Sequence, residues 1–213
     1  MKSLMYVVVC LYLPYQLSAY SLKPDSLHSA KASLTTLHGL VARHSYIPAK
    51  ALIYARQAIE LAEAINDKPG LAKSYSLAGN MCILASRHNE ALEHFLKSLE
   101  LRYQLGNAKQ IALSLDNLGL VYEQMGQAKR ALRYYKAALK MNQKSRDQFA
   151  ITSNLSNIAS VYRKQNNYVE AVAYYKQSLK ESKRMDSKTA TTICLNNITI
   201  TQIYSRKQTL LQW

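Results

Sequence analysis

Asn117, Asn157 and Asn197 stand 40 residues apart, and each carries an amide that both donates and accepts hydrogen bonds. A column of such groups can pair with the N–H and C=O groups of an extended polypeptide whatever its side chains are. Asp116 and Asn196 precede two of the three, and Ser156 precedes the other. A second set with the same spacing is cationic. Lys136 matches Lys176 and Lys140 matches Lys180, with Arg130, Arg133, Lys183 and Arg184 extending the series. Such a stripe can dock on phosphates at a salt-sensitive cost, although a solvated helix face is the plainer account of it. No recognised DNA-reading module accompanies the stripe, so nucleic acid is not the expected partner. An anionic membrane surface suits it better if the N-terminal segment is an export signal.

Residues for catalysis do not assemble. His28, His38, His44, His88 and His94 form no H-E-x-x-H pair, and the six glycines make no phosphate-cradling loop. No G-x-S-x-G elbow or kinase set occurs. No cofactor, metal site or enzyme activity is expected. Asn154-Leu155-Ser156 and Asn197-Ile198-Thr199 match the short glycosylation acceptor pattern.

The chain holds 28 Lys and Arg against 13 Asp and Glu, a formal net charge of +15, which favours anionic partners without deciding the fold. Residues 1–19 form a distinct segment. A positive start at Met1-Lys2 leads into an uncharged apolar run from Leu4 to Leu13, then Pro14 and Gln16-Leu17-Ser18-Ala19. This is the order of a secretory signal peptide, and the run is shorter than the ~20 residues of a membrane span. Export to a periplasmic or membrane-associated location follows if the signal acts, and a cytoplasmic location otherwise. Cys82 and Cys194 lie on apolar stripes and read as small core residues. Cys10 falls inside the signal segment.

These residues must be positioned by repeated elements. Beyond a linker over 20–30, four blocks align without gaps over 31–70, 71–110, 111–150 and 151–190, and a fifth begins but stays incomplete over 191–213. Each block carries two amphipathic helical stripes. In the third, Leu115, Leu118 and Tyr122 share one face, Gly126 marks a turn, and Ala131, Tyr135, Ala138 and Leu139 share the face that answers it. In the first block Leu34, Leu37 and Val41 are offset by one residue, which predicts a turn near Pro48 that is one residue longer. The fifth block reads equally as a capping helix or as the opening of a hairpin belonging to a longer chain.

The order Leu118-Gly119, Tyr122, Ala131, Tyr135, Ala138 resembles the tetratricopeptide signature. Gly79, Ala91, Phe95 and Leu99 repeat it in the second block, as do Ile158-Ala159, Tyr162, Ala171, Tyr175 and Leu179 in the fourth. The 40-residue period is similar to that of the long-repeat subgroup seen in kinesin light chain and in bacterial peptide-sensing regulators and sensor segments. The resemblance implies an all-α, right-handed solenoid of helix hairpins. It also implies that the first helix of each hairpin lines a groove, so that Asn80, Asp116, Asn117, Asn157, Asn196 and Asn197 become candidate contacts for a bound peptide or protein. The basic residues Arg130, Arg133, Lys136, Lys140, Lys176 and Lys180 fall on the outer face of second helices. A carboxylate clamp is not expected, because the corresponding groove positions lack Lys and Arg apart from Lys73. The function implied is a non-catalytic scaffold for an extended segment, with the input region of a signalling protein as the alternative.

Overall fold

The computed structural model describes residues 24–210, so the signal-like segment 1–19 lies outside the described residues. Among the described residues there are nine α-helices and no strand: α1 Pro24–Arg43, α2 Pro48–Ala64, α3 Lys68–Leu84, α4 His88–Leu105, α5 Ala108–Gln124, α6 Ala128–Ser145, α7 Gln148–Lys164, α8 Tyr168–Arg184 and α9 Lys188–Leu210. None is long and apolar enough to cross a membrane. The expected linker over 20–30 needs correcting, because α1 begins at Pro24. A proline suits the first helical turn, where its missing N–H is not needed, and Asp25 in that turn complements the helix dipole.

The helices end by a common device. Among the described residues Asn66, Ser86, Gly106, Gly126, Arg146, Asn166 and Asp186 adopt φ between 50° and 71°, one every 20 residues. At six of these turns the next N–H reaches the carbonyl five residues back, at 2.8–3.1 Å: Asp67 to Ala62, Arg87 to Cys82, Gln127 to Tyr122, Asp147 to Asn142, Asn167 to Tyr162 and Ser187 to Ser182. This is the Schellman arrangement, which satisfies carbonyls a helix end would otherwise strand. At three of these turns a side chain then starts the next helix. Asn107 accepts from Gln110 N at 3.1 Å, Asp147 from Ala150 N at 3.1 Å, and Ser187 Oγ from Ala190 N at 3.3 Å. The turn between α1 and α2 departs from the series. It spans four residues, 44–47, where the other turns within hairpins span three, as the offset of the first block predicts.

The chain divides into two units at Leu105–Gly106. In the first, consecutive helices α1 to α4 pack pairwise. Ala51, Ala55, Ala58 and Ala62 form a fully buried stripe on α2. It lets α1 and α3 approach closely, while Leu34, Leu37, Leu61, Ile65 and Leu71 fill one side and Val41 and Met81 the other. Phe95 of α4 is buried against Gly79 of α3, so close that a Cβ at 79 would lie 2.6 Å from the ring.

In the second unit α5 to α9 pack consecutively in the same way. A Cβ at Gly119 would lie 2.5 Å from the ring of Tyr135. In the next hairpin Ala159 occupies the equivalent position and clusters with Ala171 and Tyr175. Cys82 in the first unit and Cys194 in the second are buried and free, as expected of core residues. Serines at the small signature positions also join the packing. Ser98 Oγ donates to Ala72 O at 2.8 Å and Ser178 Oγ to Thr152 O at 2.9 Å, so each second helix is tied to the backbone of its first.

Candidate functional site

The polar centre of the second unit is built on α5, α6 and α7. Asp116, half-buried on α5, accepts hydrogen bonds from the side-chain amides of Asn154 and, at 3.1 Å, Asn157 on α7. Asn154 Oδ1 accepts in turn from Asn142 Nδ2 on α6 at 2.8 Å. Burial pushes the Asp116 carboxyl above the usual carboxylate range. The two amides oppose that shift, and the charge of Glu123 adds to it.

Two helical turns further along α5, Glu123 collects three donors. These are the Tyr135 phenol at 2.9 Å, the Ser160 hydroxyl at 3.1 Å and the Lys164 ammonium at 2.8 Å. Burial, followed by the facing carboxylate of Glu123, holds the Tyr135 phenol protonated. A third tie joins the helix starts, where Lys109 pairs with Asp147 at 3.1 Å. Capping by the Ala150 N–H and then this lysine keep the Asp147 carboxyl below its usual range.

Of the residues expected to line a groove, Asp116 and Asn157 are joined directly, and the Asn157 amide is therefore oriented by α5. Asn117 stands half-buried beside Asp116. On α9, Asn196 is exposed, Asn197 is half-buried, and the backbone carbonyl of Asn197 accepts from Thr201 Oγ1 at 2.6 Å. Asn80 is half-buried on α3 in the first unit. The basic residues Arg130, Arg133, Lys136 and Lys140 are exposed on α6, and Lys176 and Lys180 on α8.

Asn154 and Asn142 were not among the expected site residues. Asn154 is 2% exposed, and both ends of its amide are engaged, so it is no glycosylation acceptor in the folded chain. The signal that marks it is a polar residue recurring on an apolar stripe. Ser74, Ser114 and Asn154 hold the same register of successive first helices, Arg102, Asn142 and Ser182 the same register of second helices, and all are buried. Among the described residues no group of His, Cys, Asp and Glu could hold a metal ion.

The tetratricopeptide repeat family matches in three overlapping stretches, residues 32–104, 71–144 and 110–181. The chain belongs to the tetratricopeptide repeat family. No curated protein matches the sequence. Among solved structures, this tetratricopeptide chain is similar to a Signal Transduction ATPase with Numerous Domains from Pyrococcus horikoshii that has a tetratricopeptide repeat sensor. The identity is 19% with a TM-score of 0.71, over 94% of this chain and 32% of that one. It is similar also to a Rap protein complexed with competence and sporulation factor, at 19% identity and a TM-score of 0.71, over 88% of this chain and 57% of that one. A third likeness is to nearly identical TPR-like repeats of a kinesin-light-chain candidate from Podosopora anserina, at 13% identity and a TM-score of 0.70, over 85% and 90% of the two chains. The first two likenesses thus span about a third and just over half of the other proteins' lengths. At these identities they establish the tetratricopeptide fold.

Proposed function

We propose that this tetratricopeptide chain is a non-catalytic scaffold that holds an extended peptide or protein segment against the first helices of its hairpins. The observation that carries this reading is the polar row on α5 and α7. Asp116, Asn117, Ser156, Asn157 and Ser160 are all part-exposed, and the Asp116–Asn157 bond turns one amide of the row into a fixed acceptor for a partner N–H. Asn80 serves the first unit, and Asn196 and Asn197 continue the row on α9. The Rap protein, whose structure holds competence and sporulation factor, supports a bound-ligand role by analogy. Pull-down from the native host with wild type, Asn117→Ala and Asn157→Ala tests the proposal. Loss of the captured protein in both variants is expected, and unchanged recovery would remove the row from the account.

A second reading is favoured by the likeness to a signalling ATPase with a tetratricopeptide repeat sensor. The chain would then be the input region of a signal transducer such as a sensor kinase or cyclase. Reading the gene beyond the Trp213 codon decides it. A membrane span and catalytic block in frame support it, and an in-frame stop overturns it.

A further inference from the structure

The positive charge is concentrated in the second unit, where residues 106–213 hold 17 Lys and Arg against six Asp and Glu. Four of those six acids are already committed within the fold. Asp116 is held by asparagines, Glu123 pairs with Lys164, Asp147 with Lys109, and Glu181 with Arg184 at 2.8 Å. Helix α6 carries six basic residues and no acid over 18 residues. Among the described residues Lys129, Lys140, Lys144, Lys176, Lys180 and Lys183 are in no ion pair. Lys136 and Lys140 on α6 sit at the same register as Lys176 and Lys180 on α8, about 6 Å apart along each helix from the rise of four residues.

Four tyrosine rings among these helices are already engaged within the fold. Tyr122 stacks on Tyr134 at 5.3 Å and Tyr162 on Tyr174 at 5.5 Å. Arg130 lies over Tyr122, Arg133 over Tyr134 and Lys136 over Tyr162, at 5.2–6.0 Å. Ring faces covered by the protein's own cations offer no platform for unstacked bases, which single-strand binders need. A different aromatic is open. Phe149 is 74% exposed in the first turn of α7, at the same end of the unit as the exposed Lys144 and Arg146 that close α6.

We infer that the second-helix face of this unit, with Phe149 at its rim, docks on an anionic lipid bilayer. Unpaired lysines in two registers meet headgroup charges without needing a fixed ligand geometry, and one apolar ring beside them enters the headgroup–acyl boundary. The lysines of the surface are carried by second helices, and the polar row proposed to bind peptide by first helices. The two can therefore operate together, tethering a captured segment at a membrane.

Sedimentation with vesicles of equal phosphatidylserine and phosphatidylcholine tests this, using the full chain. Wild type is expected to bind, to release as salt rises, and to ignore pure phosphatidylcholine. The Lys136→Gln, Lys140→Gln, Lys176→Gln, Lys180→Gln variant should bind roughly 600-fold more weakly, since each lysine near such a surface is worth about fivefold. Phe149→Ser should weaken binding several-fold while leaving the salt dependence unchanged. A charge-matched variant elsewhere, Lys31→Gln, Arg43→Gln, Lys50→Gln, Arg56→Gln, should bind as wild type, and thermal melts confirm that each variant is folded. Absence of vesicle binding, equal losses in the two quadruple variants, or tighter binding to a single-stranded RNA oligomer than to vesicles each overturns the inference.

Discussion

The phenol of Tyr135 donates to the Glu123 carboxylate at 2.9 Å while its ring lies against the bare backbone of Gly119. The tether prevents the ring from retreating, so position 119 has no room for a methyl group. Tyr175 has Arg163, not an acid, at the position corresponding to Glu123, and there Ala159 is accommodated. Gly119→Ala is therefore expected to destabilise the chain by about 1–3 kcal/mol. Adding Glu123→Gln should cost less than its separate effect, because the ring is then partly released. Urea unfolding midpoints measure both, and a Gly119→Ala chain as stable as wild type would sink the tether argument.

Asn154 should matter more than its neighbour Asn157. Asn154→Ala removes one donor from half-buried Asp116 and strands the amide of buried Asn142, at a cost of about 2–3 kcal/mol. Asn157→Ala removes a single donor at a half-buried position and should cost about 1 kcal/mol. Chemical denaturation of the two variants gives the order. The reverse order would mean that the network is centred elsewhere.

His38 makes stability depend on pH. Its Nε2 lies 2.8 Å from Ser74 Oγ, and that hydroxyl donates to Gly70 O at 2.9 Å, so the imidazole is the donor in the pair and is neutral. Burial, then the charge of Lys73, bring its pKa down from 6.5 to about 4, with Asp67 opposing them. Between those values the unfolded chain binds more protons than the folded one. Its contribution is complete above pH 6.5 and falls away as the pH drops towards 4. His38→Gln, which keeps a donor without the titration, should flatten the unfolding midpoint across that window. A profile unchanged in the variant would assign the pH dependence to other groups.

Two turns are occupied by residues ill suited to them. Arg146 and Ser86 hold φ of 56° and 58°, in the left-handed region that costs a residue with a Cβ about 1 kcal/mol or more. Arg146→Gly and Ser86→Gly are each expected to raise stability by about 1 kcal/mol. Calorimetry reads this as a higher Tm. A lower Tm for both would show that something other than backbone conformation holds these turns.

The hairpins were legible because their cause is periodic. Leu118, Tyr122, Ala131 and Tyr135 repeat through apolar spacing alone, and the offset at Val41 foretold the longer turn before Pro48. The network around Asp116 was not legible in the same way. Asn142 and Asn154 sit 12 residues apart on antiparallel helices, and only the pairing of those helices makes them neighbours. Asn157 was singled out for its spacing. That its amide would be held by Asp116, 41 residues earlier, required knowing which way each helix faces. The start of α1 was missed because the stretch 20–30 lies ahead of the first repeated block, where no apolar period marks a helix, and so reads as a linker.

The left-handed residues at 66, 86, 106, 126, 146, 166 and 186 also set the unit in which this chain can change its length. A helix lengthened by one residue would carry its terminal carbonyls round by about 100° and take the next N-cap out of reach. A segment of 40 residues removed from one N-cap to the next, such as 108–147, would leave Asn107 joined directly to Gln148 and every later turn in phase. Growth and loss in such a protein are therefore discrete, counted in whole hairpins, and the number of hairpin faces can vary while the rule for making each one stays fixed.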